Sequence, residues 1–430
     1  MQRTVAKLIP FALLLLSFLT ATTLHSLHHP GFDVLAATPQ PTSTAKTWEN
    51  AQLVQTLRPF GAPTPEPTCT GFSITSQAFS PDSQMLALGV HSYVQSVCGG
   101  GSSNLSLWNL QTGKQIKALV KGGAGEALLA IEEHRNQEPD DPNALVGDIA
   151  HQVAFTPDGK ILAAAMSDKT IKLWNGKTGE LLRTLTGHNY AVHAIAISSD
   201  GQTLISGSSD KTIKLWNLKT GQLIRTLRDS QPVYRLLLSS DGESLASVTS
   251  PNSLSYGMGD ITVALWNLKT GKLVRTLSDF ADYSAPPLLS PDGQILVTGS
   301  NDNSIKLWNT RTGVRIRSSM SHSATVTRLA ISPDGQFLAS SSSNDGSVKL
   351  WNFKTGQIIR TIPDLKFINS LAFSSDGRTL AMHDGSKGLQ VWNWRLPKKI
   401  RTLEVNSNFT FAPDGQSVIA GHNHGIEVWR

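Results

Sequence analysis

The chain has 430 residues, 39% of them hydrophobic and 16% charged, with a formal net charge of +6. The apolar share is too high for a disordered chain, and one apolar stretch alone, near Leu8, is greasy enough to touch a bilayer, which excludes a multi-span membrane protein. Two cysteines exclude a disulfide-built miniprotein and any zinc site made of several thiolates.

At the N-terminus Arg3 and Lys7 precede the apolar run Leu8 to Leu19, and small and polar residues follow. This is the layout of a secretory signal, and an uncleaved anchor over residues 8–24 shares the same pattern. Residues 1–37 are therefore expected to be a signal peptide or an N-terminal anchor, with cleavage near Ala21 or after Ala37. Residues 38–47, rich in Pro, Thr and Ser, read as a linker. The expected location is outside the cytoplasm, periplasmic or extracellular.

From residue 48 the chain repeats itself. A tryptophan preceded by Leu or Val recurs at 108, 174, 216, 266, 308, 351, 392 and 429, and Asn follows each one but the last. An acidic turn lies upstream of each, from Asp82 to Asp414, so eight turns match eight tryptophans. One unit shows the physics. Runs 191–197, 202–206, 212–216 and 222–227 are short, rich in β-branched residues and bounded by Asp, Gly, Ser or Thr. In the third run Ile213 and Leu215 share one face, and Trp216 lies on the other with the Lys214 stem. A small sheet that is apolar on both faces needs a neighbour on each side, and radial stacking of four-stranded blades supplies both. The fold class is thus all-β, a single closed β-propeller over residues 48–430. Because the last unit stops after its third strand, Gln52 to Leu57 is expected to be the outer strand of the final blade. Eight blades are expected, with seven and an irregular appendage as the alternative.

Gly187-His188, the Asp-Gly turns, Asp210 and Leu215-Trp216-Asn217 resemble the WD-repeat (beta-transducin-like) family, of the bacterial multi-repeat type, with Asn in place of the usual Asp after tryptophan. The resemblance implies buried hydrogen-bonded sets within single units, here His188, Ser206, Asp210 and Trp216, and again His322, Ser340, Asp345 and Trp351. These sets look like hydrolase triads, but a fully paired buried network leaves no access for a substrate, so they are expected to be structural. Asp302, Thr298 and Trp308 match without the His, and Asp168 and Trp174 match without the Ser.

Partner-binding features converge on one side. Insertions at 91–104, 120–148 and 249–259 all fall in connections that share the top face, defined as the side from which each first strand descends. Tyr93, Tyr190, Tyr234, Tyr256 and Tyr283 lie in or beside such connections, and Tyr is favoured at binding hot spots. The 120–148 insertion is acidic, with Glu132 and Glu133 among seven carboxylates, and 125–137 is expected to form a short helix. Cys69 and Cys98 bracket one hairpin at the same end, so an oxidising compartment favours a disulfide over two free thiols. A belt of cations on the outer strands (Lys117, Arg183, Arg225, Arg275, Arg317, Arg360 and Arg401) is expected to be a solvated rim that discourages edge pairing. No aromatics interleave with it, which argues against nucleic acid. His383 with Asp384, His422 and His424 are expected in top loops of adjacent blades, as surface residues rather than metal ligands because no ligand spacing recurs, and Gly99 to Ser103 lacks the rest of a phosphate loop.

The expected function is a non-catalytic scaffold that binds protein or peptide through the top face of a monomeric ring. No cofactor or metal is expected, and membrane contact is expected only through the N-terminal segment. The alternatives are a propeller enzyme resembling quinone-dependent dehydrogenases, whose repeats place tryptophan after Thr-Gly rather than before it as here, and an envelope polysaccharide-binding protein.

Overall fold

The computed structural model describes residues 52–57, 70–94, 102–121, 149–250, 261–278, 285–300, 302–396, 398–405, 409–422 and 425–430. The expected signal or anchor, the linker, both cysteines and the 125–137 helix lie outside them. The described residues form eight four-stranded antiparallel sheets arranged as an eight-bladed propeller. Blades one to seven span 70–121, 150–185, 192–228, 233–277, 288–321, 328–362 and 368–403. The eighth combines strands Phe409–Phe411, Val418–His422 and Gly425–Trp429 with Leu53–Leu57 from the other end of the chain.

That seam is well defined. Leu53 pairs with Trp429, Thr56 with Glu427 and Leu57 with Ile426, antiparallel. Gln52 and Arg430 exchange backbone bonds of 2.9 and 3.1 Å. Leu57 is fully buried among Phe79, Leu86, Trp108, Ala412 and Ile426, so it joins the eighth blade to the first. A fully buried leucine contributes about 1.5–3 kcal/mol. The seven-bladed alternative is excluded.

Both faces of each blade are covered, as the residue pattern requires. Ile213 and Leu215 pack against Val233, Leu236 and Leu245 of the following blade. Trp216 and Leu218 pack against Ala163, Ala165 and Leu173 of the preceding one.

Two polar devices repeat at the turns. Between first and second strands, a Ser or Thr hydroxyl donates to the turn aspartate in seven blades, from Ser80–Asp82 to Ser374–Asp376, at 2.5–2.6 Å. In each of these turns the aspartate also accepts the N–H two residues on, as Asp200 does from Gln202. Between third and outer strands, the Asn after each tryptophan accepts the N–H three residues on, at 2.8–3.2 Å. A carboxamide oxygen serves this Asx turn as a carboxylate would, which accounts for Asn in place of Asp.

The expectation of a solvated cationic rim is corrected in part. The Arg225 guanidinium reaches across to the following blade and donates to Leu268 O at 3.0 Å, and Arg317 donates to Lys354 O at 2.9 Å. Each lies over a turn glycine of that next blade. Gly271 has φ +72°, and a Cβ there would sit 2.7 Å from Arg225 Nη1. Glycine is needed at that turn both for its backbone and for this close approach. At the seam Gln55 holds the equivalent place: the amide orientation that satisfies both of its atoms has the nitrogen donating to Leu110 O at 3.3 Å. These side chains clasp neighbouring blades. A neighbour's turn carbonyl is invisible to a pattern read along one strand.

Candidate functional site

The sets singled out by the sequence come together in space. Trp216 Nε1 donates to Ser206 Oγ at 2.9 Å, and the Ser206 hydroxyl lies 2.7 Å from His188 Nε2. His188 Nδ1 lies 2.8 Å from Asp210 Oδ2. The consistent assignment runs Trp N–H to Ser, Ser O–H to His, and His N–H to Asp. Asp210 also accepts Asn189 N at 2.9 Å and the Thr212 hydroxyl at 2.6 Å. Burial alone would raise the Asp210 pKa, but the hydrogen bonds from His188 and Thr212 outweigh it and hold the carboxyl well below its ordinary value. Blade six repeats the chain through Trp351, Ser340, His322 and Asp345, at 2.8, 2.7 and 2.7 Å. There burial pulls the His322 pKa down against the opposing pull of Asp345. Ser206 and Ser340 are completely buried and their hydroxyls are committed, so neither can serve as a nucleophile.

Other blades vary the theme. In blade five Trp308 donates to Thr298 at 3.0 Å, and Lys306 reaches Asp302 at 3.4 Å. Blade two has Ala164, fully buried, in the serine slot. Sequence reasoning missed blade four, where Trp266 donates to Ser247 at 2.9 Å and Ser247 to Asp229 at 2.6 Å. The signal was present: Asp229 stands twelve residues before the turn Asp241, the offset of His188 from Asp200. In blade one Trp108 finds Ser106 on its own strand, at 2.8 Å.

A second feature lies at the top of the central channel. In five blades the innermost strand carries a β-bulge near its upper end, around Thr75, His151, His193, Tyr234 and Asn369. Bulges re-aim side chains. In blades two, three and four they stack three rings in an arc, His151 to His193 at 4.5 Å and His193 to Tyr234 at 4.8 Å between centroids. His193 is buried with Nε2 2.7 Å from Ser209 Oγ, and burial lowers its pKa to about 4.

A family model described as WD domain, G-beta repeat (WD40) matches residues 145–175, 179–217, 272–309 and 313–352. Those four stretches therefore carry WD repeats, each falling on strands of the ring. It is similar to the Notchless protein homolog of Arabidopsis thaliana, 33% identical over 86 residues, which cover 20% of this chain and 18% of that protein. It is also similar to WD repeat domain-containing protein 83 of Homo sapiens, 52% identical over 40 residues, 9% of this chain and 13% of that protein. The chain thus spans less than a fifth of these curated relatives. Among solved structures, the computationally designed Ika8 protein superposes with a TM-score of 0.60 at 24% identity, covering 83% of this chain and 96% of that one, which speaks for the fold alone.

On the top face of the ring, Tyr190 is half-buried in the connection to blade three, with Lys169 Nζ 5.7 Å from its ring centroid. Tyr234 belongs to the channel arc. Tyr93 ends a strand whose partner strand is known, Gly71 pairing with it, but its side chain lies outside the described set. Tyr256, Tyr283, Glu132 and Glu133 lie outside the described residues altogether. So do Cys69 and Cys98, although the hairpin they bracket pairs Thr70 with Val94. His383 and Asp384 are not loop residues as expected. They end a buried strand, where His383 Nε2 donates to Val405 O at 3.0 Å and Asp384 accepts from Lys366 N and Ser386. Among the described residues no group of three or more His, Cys, Asp or Glu is placed to hold a metal ion.

Proposed function

We propose that the ring is a non-catalytic interaction scaffold acting outside the cytoplasm, with a protein or peptide partner on its top face. WD-repeat propellers generally serve as protein-interaction scaffolds. The observation that carries the reading is a coincidence of side. The segments at 95–101, 122–148 and 251–260 each join a second strand to a third, or an outer strand to the next innermost one, so all open on the top. The His151–His193–Tyr234 arc faces the same end. The innermost strands there bring Arg235 and Arg328 and, among the described residues, no carboxylate. That chemistry fits a partner segment presenting acidic or aromatic side chains. Tyr93, Tyr190, Tyr234, Tyr256 and Tyr283, with Glu132 and Glu133 of the acidic insertion, are the proposed contacts.

In this reading residues 1–37 export or anchor the chain, 38–47 link it to the ring, and Cys69 and Cys98 oxidise to a disulfide. The register Thr70 to Val94 supports the last point, since it leaves both cysteines beyond the same end of one hairpin.

Cross-linking from the top face in the native envelope, followed by identification of captured partners, tests the proposal. Tyr190→Ala and Tyr256→Ala are each expected to weaken capture of a given partner by roughly tenfold or more, the scale of an interface hot spot. Lys219→Glu on the bottom face is expected to leave capture unchanged. The opposite pattern would refute the assignment of faces.

A further inference from the structure

The bottom perimeter of the ring carries a feature that a freely soluble propeller has no use for. Each outer strand begins at the bottom, and there it presents aliphatic side chains to solvent. Val54, Leu182, Ile224, Ile316 and Ile359, from five different blades, are 44–57% exposed, and Leu396 in the blade-seven turn is 67% exposed. Among the described residues, the large exposed hydrophobics all lie on this perimeter except Phe367. Scattered exposed aliphatics are ordinary, but a set of them repeated blade after blade along one rim marks an interaction surface.

We infer that the bottom face seats on a lipid surface, with this aliphatic perimeter entering the headgroup region. The inference rests on the reading that the N-terminal segment acts at a membrane. Three observations support a bilayer as the occupant. Equivalent patches repeated around an axis match an occupant that is the same in every direction, as a membrane plane is and a single peptide is not. The turns just below the band carry one exposed cation per blade from the second to the seventh, namely Lys177, Lys219, Lys269, Arg311, Lys354 and Arg395, of which Arg311 is paired with Asp241 at 3.1 Å. The tether is on the correct side: the chain enters the ring at Leu53, at the bottom of the eighth blade, and upstream of it stand Arg3, Lys7 and the run Leu8 to Leu19.

Depth and charge are compatible with this seating. The aliphatic pairs begin a residue or two beyond the turns, and at about 3.3 Å per residue they lie within roughly 5–10 Å of the face, the depth of interfacial apolar groups. The same face has an inner ring of turn aspartates, from Asp82 to Asp414. Seven of these carboxylates accept a Ser or Thr hydroxyl, and the eighth, Asp414, accepts Arg430 Nη2 at 3.2 Å. Contact with anionic headgroups therefore belongs to the perimeter and not to the centre.

The test uses the full chain bound to vesicles of phosphatidylcholine with phosphatidylglycerol. A fluorophore is placed on Ile224→Cys at the perimeter or on Lys169→Cys at the top, each in a Cys69→Ser, Cys98→Ser background. The perimeter label is expected to lose several-fold of its quenching by aqueous iodide and to gain quenching by a shallow spin-labelled lipid, while the top label changes in neither. Hydrogen exchange on the unsubstituted chain reads the same surface independently, with slowed amides expected at 181–183 and 223–225 only when vesicles are present. Leu182→Lys with Ile224→Lys is expected to abolish that protection. A vesicle-bound chain whose perimeter stays open to iodide and to exchange overturns the inference while leaving the anchor intact. Failure to bind vesicles at all overturns both. Protection that appears without lipid and rises with protein concentration identifies a second ring as the occupant and also overturns the inference.

Discussion

Replacing Ser206 by Ala removes one oxygen that answers to two buried neighbours. The Trp216 N–H loses its acceptor at 2.9 Å and His188 Nε2 loses its donor at 2.7 Å. Ser206 is fully buried and the flanking rings are nearly so, so water cannot substitute without opening the blade. Each orphaned group costs about 1–3 kcal/mol, which gives about 2–6 kcal/mol for Ser206→Ala. Trp216→Phe deletes the donor and spares the histidine's partner, and is expected to cost about 2 kcal/mol. Once the indole is gone, Ser206→Ala orphans one group in place of two. The double variant should therefore be more stable than the sum of its parts predicts, by about 1–3 kcal/mol. Urea unfolding followed by the emission of the remaining tryptophans, at constant m-value, measures all three variants. Additivity within about 0.5 kcal/mol would refute the shared-oxygen account. Blade two supplies the converse experiment, since Ala164 pairs with Lys172 as Ser206 pairs with Lys214. Ala164→Ser gives Trp174 an acceptor, and its expected effect is neutral to stabilising.

Three further outcomes follow from other parts of the ring. Leu57→Ala is expected to cost about 3–5 kcal/mol because the side chain is fully buried at the seam, whereas Val54→Ala, on the exposed perimeter, stays within about 0.5 kcal/mol; equal midpoints in urea would mean that the strand does not close the ring. Lys211 is held at φ 63°, a conformation that costs a non-glycine residue about 1 kcal/mol, so Lys211→Gly is expected to raise the melting temperature slightly. Burial lowers the His193 pKa from 6.5 to about 4, so the unfolded chain takes up the proton first, and the stability from its neutral form is present above pH 6.5 and lost as pH falls towards 4. The loss is about 2 kcal/mol by pH 5, and His193→Asn should flatten that part of a melting-versus-pH curve; an unchanged slope would place the titration elsewhere.

The ring and its seam were legible because they are periodic. A tryptophan, an Asp-Gly turn and an incomplete last unit define blade number and closure without any coordinate. The tetrads at His188 and His322 were legible because their offsets recur. Asp229 does not stand out because the resemblance places a histidine there, although a carboxylate accepts the serine hydroxyl as readily. The channel arc was hidden for a different reason. His151, His193 and Tyr234 sit in strands that read as ordinary innermost strands, and only the local bulge sets them side by side across three blades. The clasps by Arg225, Arg317 and Gln55 were hidden because their partners are carbonyls of the following unit. Residue type along a single strand says nothing of an acceptor that every residue owns.

The seam has a consequence for the order in which the molecule is made. Strand Leu53–Leu57 has no hydrogen-bonding partner until Gly425–Trp429 has been made. Until then a nascent chain holds an unfinished blade and exposes the Leu57 side of its first one. Completion is therefore a late, long-range step, and loop closure over nearly the whole chain makes it intrinsically slow. The ring closes only once strand Leu53–Leu57 has met strand Gly425–Trp429.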